Sequence, residues 1–160
     1  DTDRSRGLGD VYKRQGFMLG RKSKYEKRDY LKQFKIGKAT YSESLIYEAY
    51  GGLQNDGIML AVYYDVDAAK IIHQLDSWEK INDSPTISSI LKNVSSYFGL
   101  DFVIPEIASG NFFLYDNSQH KELRSEAEMN TLLLHSEDVN FSLVVWDDEK
   151  HTIYIVEYRI

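Results

Sequence analysis

Two pairs of β-rich segments, each joined by turn-forming residues, constrain the fold of this chain more than any other feature. The first pair spans residues 41–50 and 58–65 and flanks a glycine-rich loop. The second pair spans residues 140–146 and 152–158 and flanks an acidic turn. Glycine adopts positive φ at low cost, and Asn-Asp-Gly is typical of turns, so both pairs predict antiparallel hairpins.

The segments between the hairpins predict helices and one further strand. Ser84 followed by Pro85 marks a helix start, apolar residues recur at helical spacing, and Gly99 marks its end. Asp67 predicts the cap of a short helix whose buried face is formed by Ala68, Ile71, Ile72 and Leu75. Residues 111–115 predict a strand, and residues 120–134 show only a weak helical pattern. The expected fold class is α+β, with an antiparallel sheet of about five strands and helices packed on one face.

Charge and composition divide the chain into three parts. The first fifteen residues have no amphipathic period, so we expect a non-native, disordered leader at 1–15. Residues 16–38 form a basic stem, and Ser23 with Glu26 makes a capping box that predicts a helix over 23–34. Residues 39–160 are predicted to form a single globular domain, in which seven basic and twenty acidic residues give a net charge of −13.

The basic stem is a candidate contact for an anionic surface. Lysine and arginine near a membrane attract anionic lipid, and the same charges attract a phosphate backbone. The acidic body would repel nucleic acid, so a membrane surface is favoured between these two, and a solvated helix face without a partner is favoured over both. The residues concerned are Arg21, Lys22, Lys24, Lys27 and Arg28.

The glycine-rich loop is a second candidate site. Glycine-rich loops bind anions through backbone amides when a strand precedes and a helix follows. Because a strand is predicted to follow here, turn geometry is the favoured explanation, with ligand binding as the alternative. The residues concerned are Gly51, Gly52, Asp56 and Gly57.

Metal and cofactor sites are not predicted. The four histidines (His73, His120, His135 and His151) are far apart in sequence, and the absence of cysteine excludes thiolate ligands and a cysteine nucleophile. The acidic clusters are predicted to be a helix cap at Asp67 and a hairpin turn at 147–149, and no serine lies in a glycine-flanked elbow.

Several short motifs resemble a group of small uncharacterised Firmicute proteins. They are Tyr50-Gly51-Gly52-Leu53-Gln54-Asn55-Asp56-Gly57, Ile104-Pro105-Glu106-Ile107, Phe113-Leu114-Tyr115-Asp116, Asn140-Phe141-Ser142, Trp146-Asp147 and Thr152-Ile153-Tyr154. The resemblance covers residues 41–160 and implies a Gly-Gly-x-x-x-Asp-Gly hairpin loop and, often, a preceding membrane anchor. That group has histidines where this chain has Tyr50 and Gln54, so no histidine ligand role carries over. Residues 1–15 resemble translated sequencing-adapter read-through.

Three functional hypotheses follow. The first is a non-catalytic bacterial domain that binds another protein, either free in the cytoplasm or tethered to the membrane by an anchor upstream of the stem. The second is a soluble acidic inhibitor or immunity-type protein, because strong negative charge suits a basic partner. The third is a hydrolase built from Asp56 and histidines.

Overall fold

The computed structural model describes residues 30–51, 56–81, 84–99, 104, 106–135 and 139–159. Its strands are β1 (Glu43–Gly51), β2 (Asp56–Tyr64), β3 (Glu79–Lys80), β4 (Gly110–Asp116), β5 (Lys121–Leu123), β6 (Asn140–Asp147) and β7 (Thr152–Arg159). Its helices are α1 (Tyr30–Gln33), a 3-10 helix (Ala68–Lys70), α2 (Ile72–Leu75), α3 (Pro85–Tyr97) and α4 (Glu126–His135).

The strands form one antiparallel sheet in the order β1-β2-β7-β6-β4-β3, with β5 also paired to β4. Both predicted hairpins are confirmed, and the two ribbons meet where β2 pairs with β7. The α+β class is therefore confirmed. The described sheet has seven strands where about five were expected, because β3 and β5 are too short to show an alternating pattern.

Helices cover both faces of the sheet, so the expectation of helices on one face was wrong. On one face, α3 and α4 pack on a core that includes Leu60, Leu143 and Val156. On the other face, α1 and the Ala68–Leu75 region pack on Met59 and Ile155. Successive side chains of a strand point to opposite faces, and the central strands are apolar on both, so both faces must be covered.

Helix α3 forms where its start and stop residues predict it. The Ser84 hydroxyl accepts a hydrogen bond from the Ile87 N–H at 3.2 Å, and Pro85 occupies the first turn. Gly99 has a φ of 58°, the left-handed conformation that ends many helices. Its buried stripe packs on the sheet as the spacing predicts.

The helical region after β2 differs in one respect from its prediction. The Asp67 carboxylate caps it, accepting a hydrogen bond from the Ala69 N–H at 3.1 Å. Ile71 and Leu75 are buried, but Ile72 is 51% exposed. The first turn is a 3-10 helix with three residues per turn, so the apolar stripe does not follow a continuous α-helical face.

The compact body includes residues that the sequence assigned to the basic stem. Tyr30, Leu31 and Phe34 are buried against the sheet together with Ile36. The predicted start of this helix at Ser23 lies outside the described residues. The described part of the stem is thus anchored in the core.

Candidate functional site

The glycine-rich loop connects two paired strands, as predicted. Gly51 is the last residue of β1 and pairs with Asp56, and Gly57 pairs with both Tyr50 and Arg159. Because strand β2 follows directly, the loop does not have the strand-to-helix arrangement of a phosphate-binding loop. Gly52 lies outside the described residues.

The hydrolase hypothesis requires Asp56 to lie close to a histidine. The structure does not bring Asp56 close to His120 or His151, the two histidines of the described hairpin turns. His120 lies in the turn after β4, at the same end of the sheet as Asp56, but β2 and β4 are three strand spacings apart. At about 4.8 Å per spacing, this is about 14 Å across the sheet. His151 lies at the opposite end, directly before β7. Within the described ranges, no group of three His, Asp or Glu side chains is arranged to hold a metal ion.

The acidic turn residues have structural partners. Asp147 is 2% exposed, and its Oδ1 accepts hydrogen bonds from the N–H groups of Glu149 and Lys150, both at 3.1 Å. Asp116 is 3% exposed and accepts from the N–H groups two and three residues later in the same way. These carboxylates stabilise hairpin turns, which confirms the turn predicted at 147–149.

The two hairpin turns repeat one pattern that the sequence analysis missed. In each turn an aspartate is followed four positions later by a histidine with positive φ, 54° at His120 and 49° at His151. The signal is visible as Asp116-x-x-x-His120 and Asp147-x-x-x-His151. Both histidines therefore have a structural position in a hairpin turn.

The described end of the basic stem meets the sheet through two hydrogen bonds. The Tyr30 hydroxyl donates to Glu48 Oε1 on β1 at 2.8 Å, and Gln33 Nε2 donates to Glu157 Oε1 on β7 at 3.1 Å. Glu48 on β1 and Glu157 on β7 are both paired with Met59 on β2, which lies between them. Helix α1 therefore spans the three strands β1, β2 and β7. The predicted membrane-surface residues, Arg21, Lys22, Lys24, Lys27 and Arg28, lie outside the described residues.

The two edges of the sheet differ. On one side, β4 is paired along most of its length by β3 at one end and β5 at the other. On the other side, β1 is nine residues long, and no strand in the described part of the chain pairs with its outer edge. Such an edge presents unpaired N–H and C=O groups that are able to bind another strand.

The β1 side chains combine acidic and apolar character. Glu43, Ser44 and Glu48 are exposed, whereas the intervening residues are half-buried. Tyr47 packs on Phe98 at the end of α3, with 5.8 Å between ring centroids. The edge is therefore fixed to the core on its inner side, and its outer side is not paired by any strand among the described residues.

The pKa values of three tyrosines, Tyr47 on β1, Tyr64 on β2 and Tyr154 on β7, are raised above their usual value. Burial raises the pKa of Tyr47, and a like charge on Tyr64 would raise it further. Burial also raises the pKa of Tyr64, with a further increase from Glu43, and the pKa of Tyr154, with further increases from Asp147 and Tyr64. Their hydroxyl groups are therefore neutral hydrogen-bond donors at physiological pH.

A surface pocket of about 260 Å³ lies between the β4–β5 turn and α4. Its lining includes the buried Asp116, whose carboxylate is engaged by the turn, and the ion pair between Lys121 Nζ and Glu128 Oε1 at 2.5 Å. Leu123 and Leu132 provide an apolar wall. Its charged groups are paired, so the open β1 edge is the stronger candidate for binding.

The fold defines a class, an α+β domain with an antiparallel sheet enclosed on both faces. Comparisons with protein-family models, curated proteins and solved structures found no match to the chain. The resemblance to Firmicute proteins therefore stays a prediction. In the part of the chain that the structure describes, no helix is long and apolar enough to cross a bilayer.

Proposed function

We propose that this chain is a non-catalytic bacterial domain that binds another protein through the open edge of its sheet. The observation that carries the proposal is the difference between the two edges. Two short strands cover β4, whereas β1 offers nine residues of regular edge. Natural proteins protect exposed edges because such edges associate with other chains, so a long open edge is typical of a binding surface.

The acidic character of the domain supports a protein partner. Residues 39–160 carry a net charge of −13, and β1 itself contributes Glu43 and Glu48 without a basic residue. Complementary charge increases association rates and excludes wrong partners. The alternative function, a soluble acidic inhibitor or immunity-type protein, is supported by the same negative charge, which suits a basic partner.

Selection from a random-peptide display library on the immobilised full-length chain tests this function. Selected peptides are then measured on Ser44→Lys, which places a charged lysine on the exposed edge strand, and on Ser89→Lys, the same change on the exposed side of α3. We expect peptides that bind the native chain and Ser89→Lys but bind Ser44→Lys at least tenfold more weakly. Failure to enrich any peptide, or equal binding to both variants, contradicts the proposal.

A further inference from the structure

The outer edge of β1 has the geometry required for strand addition. Its register with β2 is continuous over nine residues, from Glu43 opposite Tyr64 to Gly51 opposite Asp56. This corresponds to an edge of about 30 Å at about 3.3 Å per residue. In an antiparallel pair the N–H and C=O groups of alternate residues point away from the partner strand, so every second residue of β1 presents both groups outward.

Of the features that usually prevent strand addition, β1 carries charged side chains, Glu43 and Glu48, but lysine, proline and a β-bulge are missing from its nine residues. Exposed edges are commonly interrupted by lysine, proline or a β-bulge. The β1 sequence, Glu-Ser-Leu-Ile-Tyr-Glu-Ala-Tyr-Gly, contains neither lysine nor proline, and its register with β2 contains no bulge. The outer side of β4, by contrast, is occupied by short strands.

The side chains of β1 indicate the chemistry of the added strand. Glu43 lies on the α3 face of the sheet with Leu45 and Tyr47, whereas Glu48 lies on the α1 face with Ile46. The two carboxylates are five residues apart, an odd separation, and so they point to opposite faces. A strand that complements both needs two basic residues five positions apart, with apolar or β-branched residues between them to pack beside the half-buried side chains.

We propose that the outer edge of β1 binds an extended basic segment of another protein as an eighth strand of the sheet. This inference rests on the proposed function and specifies the partner. The segment pairs its backbone with β1 and places basic side chains opposite Glu43 and Glu48. A second copy of this chain fits the edge less well, because it brings another strongly acidic domain to the same edge.

The test uses three end-capped nine-residue peptides of alternating valine and threonine. The first carries lysine at positions 4 and 9, which lie opposite Glu48 and Glu43 in an antiparallel pairing that spans β1. The second carries lysine at positions 4 and 8, which point to one face. The third carries glutamate at positions 4 and 9. Binding to the full-length chain is measured by calorimetry at low salt, and amide hydrogen exchange of β1 is followed by NMR.

The first peptide is expected to bind most tightly and to protect amides at every second residue of β1. The double variant Glu43→Gln and Glu48→Gln should weaken it by about two- to thirtyfold, the range expected for two exposed ion pairs. In the Glu48→Gln change the new amide oxygen still accepts the Tyr30 hydrogen bond, so the fold is retained. Glu106→Lys, an exposed change outside β1, provides the charge control and should weaken binding less.

Other outcomes overturn the inference. Equal binding of the three peptides would contradict the role of charge. Exchange protection of all β1 amides to the same degree, instead of every second amide, would contradict strand addition. Sedimentation of the chain without peptide should show a monomer, and a dimer that Ser44→Lys dissociates would show that a second copy occupies the edge. If library peptides bind at this edge without basic residues, this inference fails while the proposed function stands.

Discussion

Gly110, the first residue of β4, provides the sharpest test of the packing between β4 and β6. A Cβ atom at this position would lie 1.9 Å from the carbonyl oxygen of Trp146 and 3.0 Å from its carbonyl carbon. Both are backbone atoms of β6, and the Trp146 side chain is 1% exposed. No flexible side chain is able to move aside, so Gly110→Ala must displace β4 from β6 by about 1 Å, as in an overpacked core.

The cost of this displacement has two parts. Overpacking costs about 1–3 kcal/mol. The strand ends are also joined by the Asp148 N–H to Ser109 C=O hydrogen bond at 3.0 Å and the Ile81 N–H to Gly110 C=O hydrogen bond at 3.0 Å. Losing one of them adds about 1 kcal/mol, so we expect a loss of about 3 kcal/mol in the free energy of unfolding. For a chain of this size, this lowers Tm by about 6–12 °C.

Urea denaturation monitored by tryptophan fluorescence measures the effect, since Trp78 and Trp146 are both buried. Gly37→Ala is the matched control, because its Cβ would meet Lys32 Cγ at 2.6 Å, an atom of a flexible side chain. We expect the control to lose less than about 1 kcal/mol. A Gly110→Ala protein as stable as the control would refute the close approach of β4 and β6.

Three further predictions concern the turns and helix starts. Replacing Glu126 with alanine should cost about 2 kcal/mol in urea denaturation, because its carboxylate accepts hydrogen bonds from the two buried hydroxyl groups at the start of α3, and glutamine should restore part of the loss. His120→Gly should raise stability by about 0.5–1 kcal/mol in the same assay, because a side chain at a φ of 54° is strained. Hydrogen bonds from Lys121 and backbone N–H groups lower the pKa of Glu128 from 4.5 to about 2. Its contribution is therefore complete above pH 4.5 and lost as pH falls toward 2, and Glu128→Gln should flatten this part of the stability profile, measured by thermal denaturation from pH 2 to 7.

Local signals predicted those elements whose stabilising contacts lie within a few residues. The start of α3 depends on a hydroxyl three residues away, and the Asp67 cap depends on an N–H two residues away. Both hairpins follow from alternation and turn residues. Such elements can be predicted from the sequence because the residues that stabilise them are close to each other both in sequence and in space.

Helix α4 was predicted only as a weak pattern, although its start signal was present. Ser125 and Glu128 form a capping box, in which the Ser125 hydroxyl accepts from the Glu128 N–H at 3.2 Å and Glu128 Oε2 accepts from the Ser125 N–H at 3.3 Å. The apolar pattern is weak because three leucines are consecutive, Leu132 to Leu134, instead of recurring at helical spacing, and Leu134 is 75% exposed. The cap was the better signal.

Strands β3 and β5 could not be predicted for two different reasons: β3 is stabilised by a segment distant in sequence, and β5, although it pairs with the neighbouring β4, is too short to show an alternating pattern. Glu79 of β3 pairs with Phe112 across more than thirty residues of sequence, and β5 has only three residues. The coverage of both faces is indicated by the apolar residues on both sides of the central strands, but the packing of α1 on Met59 and Ile155 depends on contacts distant in sequence. The unpaired outer edge of β1 could not be predicted from the sequence either, because it depends on the strand order of the whole sheet.

The contact between α1 and β1 links the basic stem to the candidate binding edge. Tyr30 donates to Glu48, which is also one of the two carboxylates expected to recognise the added strand. A carboxylate has two oxygens and about four acceptor positions, so Glu48 is able to bind Tyr30 and a basic side chain together. The Tyr30 bond restricts the rotamers of Glu48 before a partner arrives, which reduces the entropy lost on binding. In the proposed binding mode the stem would contribute to recognition by orienting Glu48, without contact between its own charges and the partner.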